Sequence, residues 1–214
     1  MQPERYDAWY ESSRGAWIGG IEYGVLHDLL ETREGETLLD VGCGTGYFTR
    51  RFAEAGDIAW AAGADIDLPA VRHAAGRGGA AYLVADAHRL PFPDKSFDLV
   101  VSVAALCFMQ DARGALAEML RVARRRVALG LLNHHSLLWL SRGRHGGRGA
   151  YRGARWHTRH EARQLFGGQA AKAPLVLTAV VLPNGGKLAR ALEKPLSALL
   201  PGAGAFIAAV SDVS

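Results

Sequence analysis

Apolar residues along this chain recur with two periods, and the switches between them mark out its elements. Positions 21, 25, 26, 29 and 30 are apolar, the spacing of one helical face, and predict a helix over Ile21–Leu30. Short β-prone runs follow at Thr37–Val41, Ile58–Asp65, Tyr82–Ala85, Phe97–Ser102 and Arg126–Leu132. Helical patterns occupy Tyr47–Ala55, Leu68–Gly76 and Ala112–Ala123, the second closed by glycines at 76, 78 and 79. Phe97–Ser102 is almost continuously apolar, as in a strand covered on both faces. Strands alternating with helices predict an α/β fold with right-handed crossovers and a parallel sheet.

After the fifth strand the pattern changes. Residues 133–157 hold five glycines and many arginines around an apolar patch at Leu137–Leu140, which predicts a short helix followed by an exposed loop. Thr158 with Glu161 three positions later forms a capping box, so a helix is expected over Thr158–Phe166. Leu175–Leu182 reads as a strand, Lys187–Leu200 as a helix with an interruption at Pro195, and Gly204–Val210 as a last strand. The count reaches seven strands, with no internal repeat and no linker.

Composition adds a constraint on partners. The chain has 214 residues, 49% hydrophobic, enough for one domain with a sizeable core. Its formal net charge is +4, yet residues 142–163 hold seven of the 25 bases and one of the 21 acids, a local charge of +6. The remainder carries 18 bases and 20 acids, so the body is near neutral and global basicity gives no argument for a nucleic-acid partner. Two cysteines, Cys43 and Cys107, make no disulfide framework and suit a reducing cytoplasm. Residues 1–20 mix charges with aromatics, unlike a signal peptide, and the longest uncharged stretch, 195–211, is too short and too broken by Pro201, Gly202 and Gly204 for a membrane span. No zinc-type cluster or metal-spaced acid pair stands out.

The densest chemical signal is Leu38-Leu39-Asp40-Val41-Gly42-Cys43-Gly44-Thr45-Gly46. A β-prone run ends in an acid, glycines follow at every second position, and a helix opens near Tyr47. Such a loop lets a ligand approach the backbone at a helix N-terminus. A dinucleotide fingerprint needs glycine three positions after Gly44, where Tyr47 stands, and Asp40 would repel a pyrophosphate. An acid there suits a nucleoside carrying positive charge, as S-adenosylmethionine does. Asp65 closes the second strand 19 positions after Gly46, where a ribose-binding acid is expected. Taken singly, the glycine turn is common to many α/β proteins, Asp65 reads as a helix cap and Asp86 as a turn former; their order and spacing are what join them.

This set resembles the class I S-adenosylmethionine-dependent methyltransferases of the type 11-like small-molecule group. Tyr82-Leu83-Val84-Ala85-Asp86-Ala87 and the run from Leu90-Pro91-Phe92-Pro93 through Phe97-Asp98-Leu99-Val100-Val101-Ser102 are similar to later family motifs. The resemblance covers roughly residues 35–132. It implies a Rossmann-like, doubly wound seven-stranded sheet, mostly parallel, with an antiparallel last strand beside the fifth. It implies one methyltransferase domain over 1–214: a helical lid (1–34), a cofactor-binding core (35–132), a basic cap (133–157) and a C-terminal helix with strands (158–214). Gly42, Cys43, Gly44 and Gly46 would approach the methionine moiety, Asp40 would orient it, and Asp65 would take the ribose hydroxyls. Ile66 would pack on the adenine, Asp86 and Ala87 would bound its edge, and Ser102–Leu106 would lie at the sheet's C-terminal edge.

The implied activity is methyl transfer to a small-molecule acceptor. Two alternatives stay open: an enzyme directed to RNA or another polyanion through the arginine-rich segment, and a non-catalytic module that binds the cofactor. Ser102-Val103-Ala104-Ala105 stands where amine methylases of nucleobases carry Asn/Asp-Pro-Pro-aromatic, which argues against DNA adenine as the acceptor. Tyr6, Trp9, Tyr10 and Trp17 read either as an aromatic lid or as rings packed on the body. His134 and His135, and more weakly Tyr10, are the candidates for proton removal, against a plain strand-end pair. The arginine segment binds an anionic acceptor, touches a polyanion, or is a solvated cover.

Overall fold

A computed structural model describes residues 2–167 and 173–213. The chain opens with α1 (Pro3–Glu11) and α2 (Ser13–Leu30), then runs β1 (Glu36–Val41), α3 (Tyr47–Ala53), β2 (Ile58–Asp65), α4 (Leu68–Arg77) and β3 (Ala81–Val84). It continues through β4 (Phe97–Val103), α5 (Ala112–Val122), β5 (Ala123–Leu132), α6 (Arg159–Leu165), β6 (Leu175–Ala179), α7 (Lys187–Leu199) and β7 (Phe206–Asp212). The strands form one sheet in the order β3-β2-β1-β4-β5-β7-β6. β1 to β5 pair in parallel, and β7 runs antiparallel to both β5 and β6.

Strand alternation sorts the core into two layers. Leu39, Val41, Val100, Val127 and Leu129 face the layer closed by α5 and α6 through Leu116, Met119 and Phe166. Leu38, Leu99, Val101 and Ala128 face the layer closed by α2 and α3 through Ile18, Leu26, Leu30 and Phe52. Because both faces are covered, the central strands are apolar at nearly every position. Strand order reverses between β1 and β4. Crossover chains leave that point in opposite directions, and a crevice opens outside the carboxyl ends of the two strands.

Several boundaries depart from the sequence-based expectation. α2 begins at Ser13, eight residues before Ile21, because Ser12 caps it by accepting from the Gly15 N–H. β6 ends at Ala179 rather than Leu182: Val180 turns to φ +64°, and the buried carboxylate of Glu193 receives the Val180 and Val181 N–H groups at 2.6 and 3.1 Å. α7 is not interrupted; Pro195 lies inside a continuous helix. The capping box at Thr158 and Glu161 is present, with both bonds made.

Residues 133–157 carry helical turns from Leu137, as expected, and the exposed stretch after them is ordered by backbone bonds. A π-turn (Trp139–Gly143) and two 3-10 turns (Arg144–Gly146, Gly149–Tyr151) are joined by backbone bonds from Arg148 to Arg142 and from Gly153 to Gly146, each 2.9 Å. Among the described residues no helix is long and apolar enough to cross a membrane.

Candidate functional site

The β1–α3 loop enters the crevice with Gly42, Gly44 and Gly46 all at positive φ, +75°, +53° and +77°. Two of these glycines answer to packing. A Cβ on Gly42 would fall 2.2 Å from Ala105 Cβ, and one on Gly46 would meet the Tyr82 ring. Gly44 differs, because nothing lies within 4 Å of where its Cβ would be. Its backbone faces an open cavity of about 670 Å³.

The cavity wall comes from five segments. The loop supplies Gly42, Gly44 and Thr45; the β2 end supplies Asp65, Ile66 and Asp67; the β3 end supplies Asp86, Ala87 and His88. Val103, Ala104, Ala105, Phe108 and Met109 follow β4, and Pro3 and Tyr6 of α1 complete the rim. Ala104 holds φ +60°, a conformation non-glycine residues seldom adopt, and this bends the chain from β4 into the wall.

Asp65 fixes the loop from the neighbouring strand. Its Oδ2 accepts from the Gly44 N–H at 2.7 Å and its Oδ1 from the Asp67 N–H at 2.9 Å. Ile66 is 71% exposed, a large apolar side chain lying open against the cavity. Asp86 Oδ1 accepts from the His88 N–H at 2.9 Å and pairs with His88 Nδ1 at 2.8 Å, while His88 Nε2 meets the Asp111 carbonyl at 2.9 Å. The His88 backbone bond holds the Asp86 carboxyl below its ordinary range, and the Asp86 carboxylate raises the His88 ring above its own.

Asp40 lies behind the loop and does not line the cavity. It is 1% exposed, and its Oδ2 accepts from Thr49 Oγ1 of α3 at 2.7 Å. Burial pushes its carboxyl up to about 7, against the pull of the Thr49 bond. Cys43 and Gly46 also stay outside the wall. Cys43 packs under Gly63, and burial drives its thiol far up, so it is no nucleophile at neutral pH. Ser102 is fully buried within β4, and the residues after it form the wall instead.

None of the three proton-removal candidates lines the cavity. The His134 ring rests on Trp139 at 4.0 Å between centroids, and His135 is exposed. Tyr10 is buried, stacked on Tyr47 at 3.8 Å. Its hydroxyl reaches the Tyr6 hydroxyl at 3.3 Å, so α1 presents Tyr6 to the cavity with Tyr10 behind it. Burial raises the Tyr6 phenol to about 12, which leaves it a hydrogen-bonding group and not a base. Of the two alternative readings of the aromatic segment, Tyr10 follows the second by packing on the body, while Tyr6 lies at the cavity rim. The Phe108 and Met109 wall escaped sequence reading because it carries no chemistry-bearing side chain. The one available signal was the apolar run Ala104–Met109 directly after a buried strand.

The donor set selects the ligand class. Three carboxylates line the cavity, a fourth lies behind it, and among the described residues no lysine or arginine faces it. A pyrophosphate would find repulsion, whereas sugar hydroxyls, an exocyclic amine and an ammonium group would find acceptors. Residues present thus fit an adenosyl compound with positive charge. Among the described residues no group of three or more His, Cys, Asp or Glu is arranged to hold a metal ion.

Comparisons with known proteins place this geometry. Residues 39–129 match the family model described as a methyltransferase domain. The malonyl-[acyl-carrier protein] O-methyltransferase of Serratia marcescens is 40% identical over 93 residues, 42% of this chain and 35% of that protein. The 27-O-demethylrifamycin SV methyltransferase of Amycolatopsis mediterranei is 37% identical over 114 residues, 49% of this chain and 42% of that protein. The chain thus spans between a third and a half of the length of these relatives. A solved S-adenosylmethionine-dependent methyltransferase of Thermotoga maritima, a possible histamine N-methyltransferase, superposes over 99% of this chain and 95% of its own with a TM-score of 0.73 at 20% identity, a likeness of fold. The family match thus lies on the core, residues 39–129, and the chain as a whole shares the fold of the solved S-adenosylmethionine-dependent methyltransferase.

Proposed function

We propose that this protein transfers a methyl group from S-adenosylmethionine to a small-molecule acceptor carrying an anionic group. The observation that carries the cofactor part of the reading is a cavity of about 670 Å³ lined by Asp65, Asp67 and Asp86, open at the Gly44 backbone and free of lysine and arginine among the described residues. When bound, the cofactor supplies an electrophilic methyl on a sulfonium that departs as a neutral thioether. The chain's own residues then have to bind, orient and exclude water.

Asp65 already accepts two backbone N–H groups, and its remaining lone pairs serve the ribose hydroxyls. Ile66 offers the apolar face for the adenine, bounded by Ala87, and Asp86 accepts from its amine. Gly44 gives the methionine moiety room against bare backbone. Asp40, held behind the loop, supplies a negative field rather than a contact. Tyr6, Phe108 and Met109 close the acceptor side against water. Alignment of nucleophile and methyl is worth roughly 7–11 kcal/mol of barrier in well-oriented systems, so positioning is the main task of these walls.

The activities named for the two curated relatives both end on oxygen, which supports an oxygen acceptor. The basic cap supports an anionic one. Arg142, Arg144, Arg148, Arg152 and Arg155 are exposed on ordered backbone, and the Arg155 N–H bonds the Cys107 carbonyl at 2.7 Å, beside the wall residue Phe108. The test is calorimetric titration of the purified protein with S-adenosylhomocysteine and, separately, with NAD. Binding of the first and not the second is expected, and Asp65→Ala should weaken it by about 1–3 kcal/mol. No uptake of S-adenosylhomocysteine would refute the reading.

A further inference from the structure

Helix α1 covers the cavity rim with Pro3 and Tyr6, yet only Asp7 and Tyr10 of its nine residues are buried. Asp7 is 5% exposed, and a carboxylate so placed needs partners. It has four. Thr45 Oγ1 donates to Asp7 Oδ1 at 2.8 Å, an Arg50 guanidinium nitrogen approaches Oδ2 at 3.3 Å, the His73 Nε2–H donates to Oδ2 at 3.2 Å, and Arg77 Nε stands 3.6 Å away. α1 packs mainly on α2, but none of these partners lies on α2. They come from the cavity loop, from α3 and from α4.

Thr45 is held from two sides. Its hydroxyl is committed to Asp7, and its carbonyl accepts from Arg50 at 2.7 Å, the same Arg50 that pairs with Asp7. Thr45 itself lines the cavity beside Gly44. Lifting α1 would therefore remove Pro3 and Tyr6 from the rim, strip Thr45 of its side-chain acceptor and leave Arg50 without its ion pair in one motion, held by the Thr45 carbonyl. His73 and Arg77 tie Asp7 to α4, which packs on α1, and Thr45 extends the same carboxylate to the cavity loop.

We infer that Asp7 is a positioning residue that couples closure of α1 to the conformation of the 42–46 loop. Cofactor binding orders the helix, and the ordered helix in turn retains the cofactor, since coupling between two sites is reciprocal. This inference rests on the methyltransferase reading of the cavity. The acceptor side then closes only over a loaded loop, which ties water exclusion to cofactor occupancy.

Hydrogen–deuterium exchange of the full chain, with and without S-adenosylhomocysteine, tests this, together with stopped-flow measurement of its dissociation. In the wild type the ligand should slow exchange across residues 3–11 by about tenfold or more. Asp7→Asn and, independently, Thr45→Val should reduce that protection to about threefold or less and speed dissociation about tenfold. Glu11→Gln, which alters only the Arg77 pair 3.3 Å away on the surface, should behave as wild type. Should Asp7→Asn fail to fold, Thr45→Val decides alone. Wild-type protection and dissociation in the Asp7 and Thr45 variants, or equal loss in Glu11→Gln, would overturn the coupling while leaving the cofactor reading intact. Failure of the wild type to bind S-adenosylhomocysteine would overturn both.

Discussion

Replacing Asp40 by Asn should stabilise the free protein and weaken its hold on a cationic cofactor. Asp40 is 1% exposed, one oxygen accepts from Thr49 at 2.7 Å, and the other has no hydrogen-bond partner among the described residues. Burial, with the Asp65 carboxylate adding repulsion, raises its carboxyl from 3.8 to about 7. That displacement corresponds to about 4 kcal/mol between folded and unfolded chains once the group is ionised in both. The folded state holds this proton more tightly than the unfolded state does. Its contribution to stability is therefore complete below about pH 4 and is lost as pH rises through about 7. Asn cannot titrate, and its carbonyl oxygen still accepts from Thr49. Urea denaturation at pH 5, 7 and 9 should show Asp40→Asn more stable than wild type by about 2–4 kcal/mol at pH 9, allowing for water entry, with the gap narrowing towards pH 5. Affinity should move the other way. Wild-type binding of S-adenosylmethionine should strengthen as pH rises through 7, because ionisation places a negative charge behind Gly44, whereas the variant should show no such rise. Parallel stability-versus-pH curves for the two proteins would refute the argument, since they would mean that Asp40 keeps an ordinary carboxyl.

Three further outcomes are expected. Gly44→Val should leave the far-ultraviolet spectrum intact and lower S-adenosylhomocysteine affinity more than about tenfold, because its side chain enters open cavity at φ +53°; unchanged calorimetric affinity would contradict this. Glu193→Ala should cost about 3–5 kcal/mol in chemical denaturation, since it leaves the Val180 and Val181 N–H groups buried without an acceptor. Combined reversal of Arg144, Arg148 and Arg152 to Glu should leave S-adenosylhomocysteine affinity unchanged and raise KM for carboxylate-bearing acceptors but not for neutral ones; equal KM values for both classes would mark the cap as solvated.

Legibility in the sequence followed burial. The central strands are covered on both faces, so Leu38–Val41 and Phe97–Val101 had to be apolar, and their positions could be read to within a residue or two. The edges were less readable. β6 stops short because an acid 13 positions later in α7 takes its last N–H groups, a long-range event that local pattern does not record. α1 was visible only as aromatic spacing, since it is held by the ion pairs of Asp7 more than by an apolar stripe. The cap at 139–151 looked like open loop because its glycines signal turns, and those turns are closed on one another by backbone bonds.

The site was legible where chemistry resides in side chains at strand ends and illegible where it resides in direction. Asp65 is the last residue of β2 and Asp86 stands two positions past the end of the adjacent parallel β3, so both emerge at the carboxyl edge where the crevice opens. Asp40 belongs to the same motif but precedes the end of β1 by one residue. Strand alternation sends its side chain to the face shared with Leu38, towards α3 and Thr49, and away from the crevice. The acid that makes the loop unlike a pyrophosphate site therefore works through the backbone, by field and not by contact. Recognition of a cation by a buried, half-protonated carboxyl is a stronger discriminator than a surface pair: bringing up positive charge also ionises the acid, so the ligand strengthens the interaction that selects it.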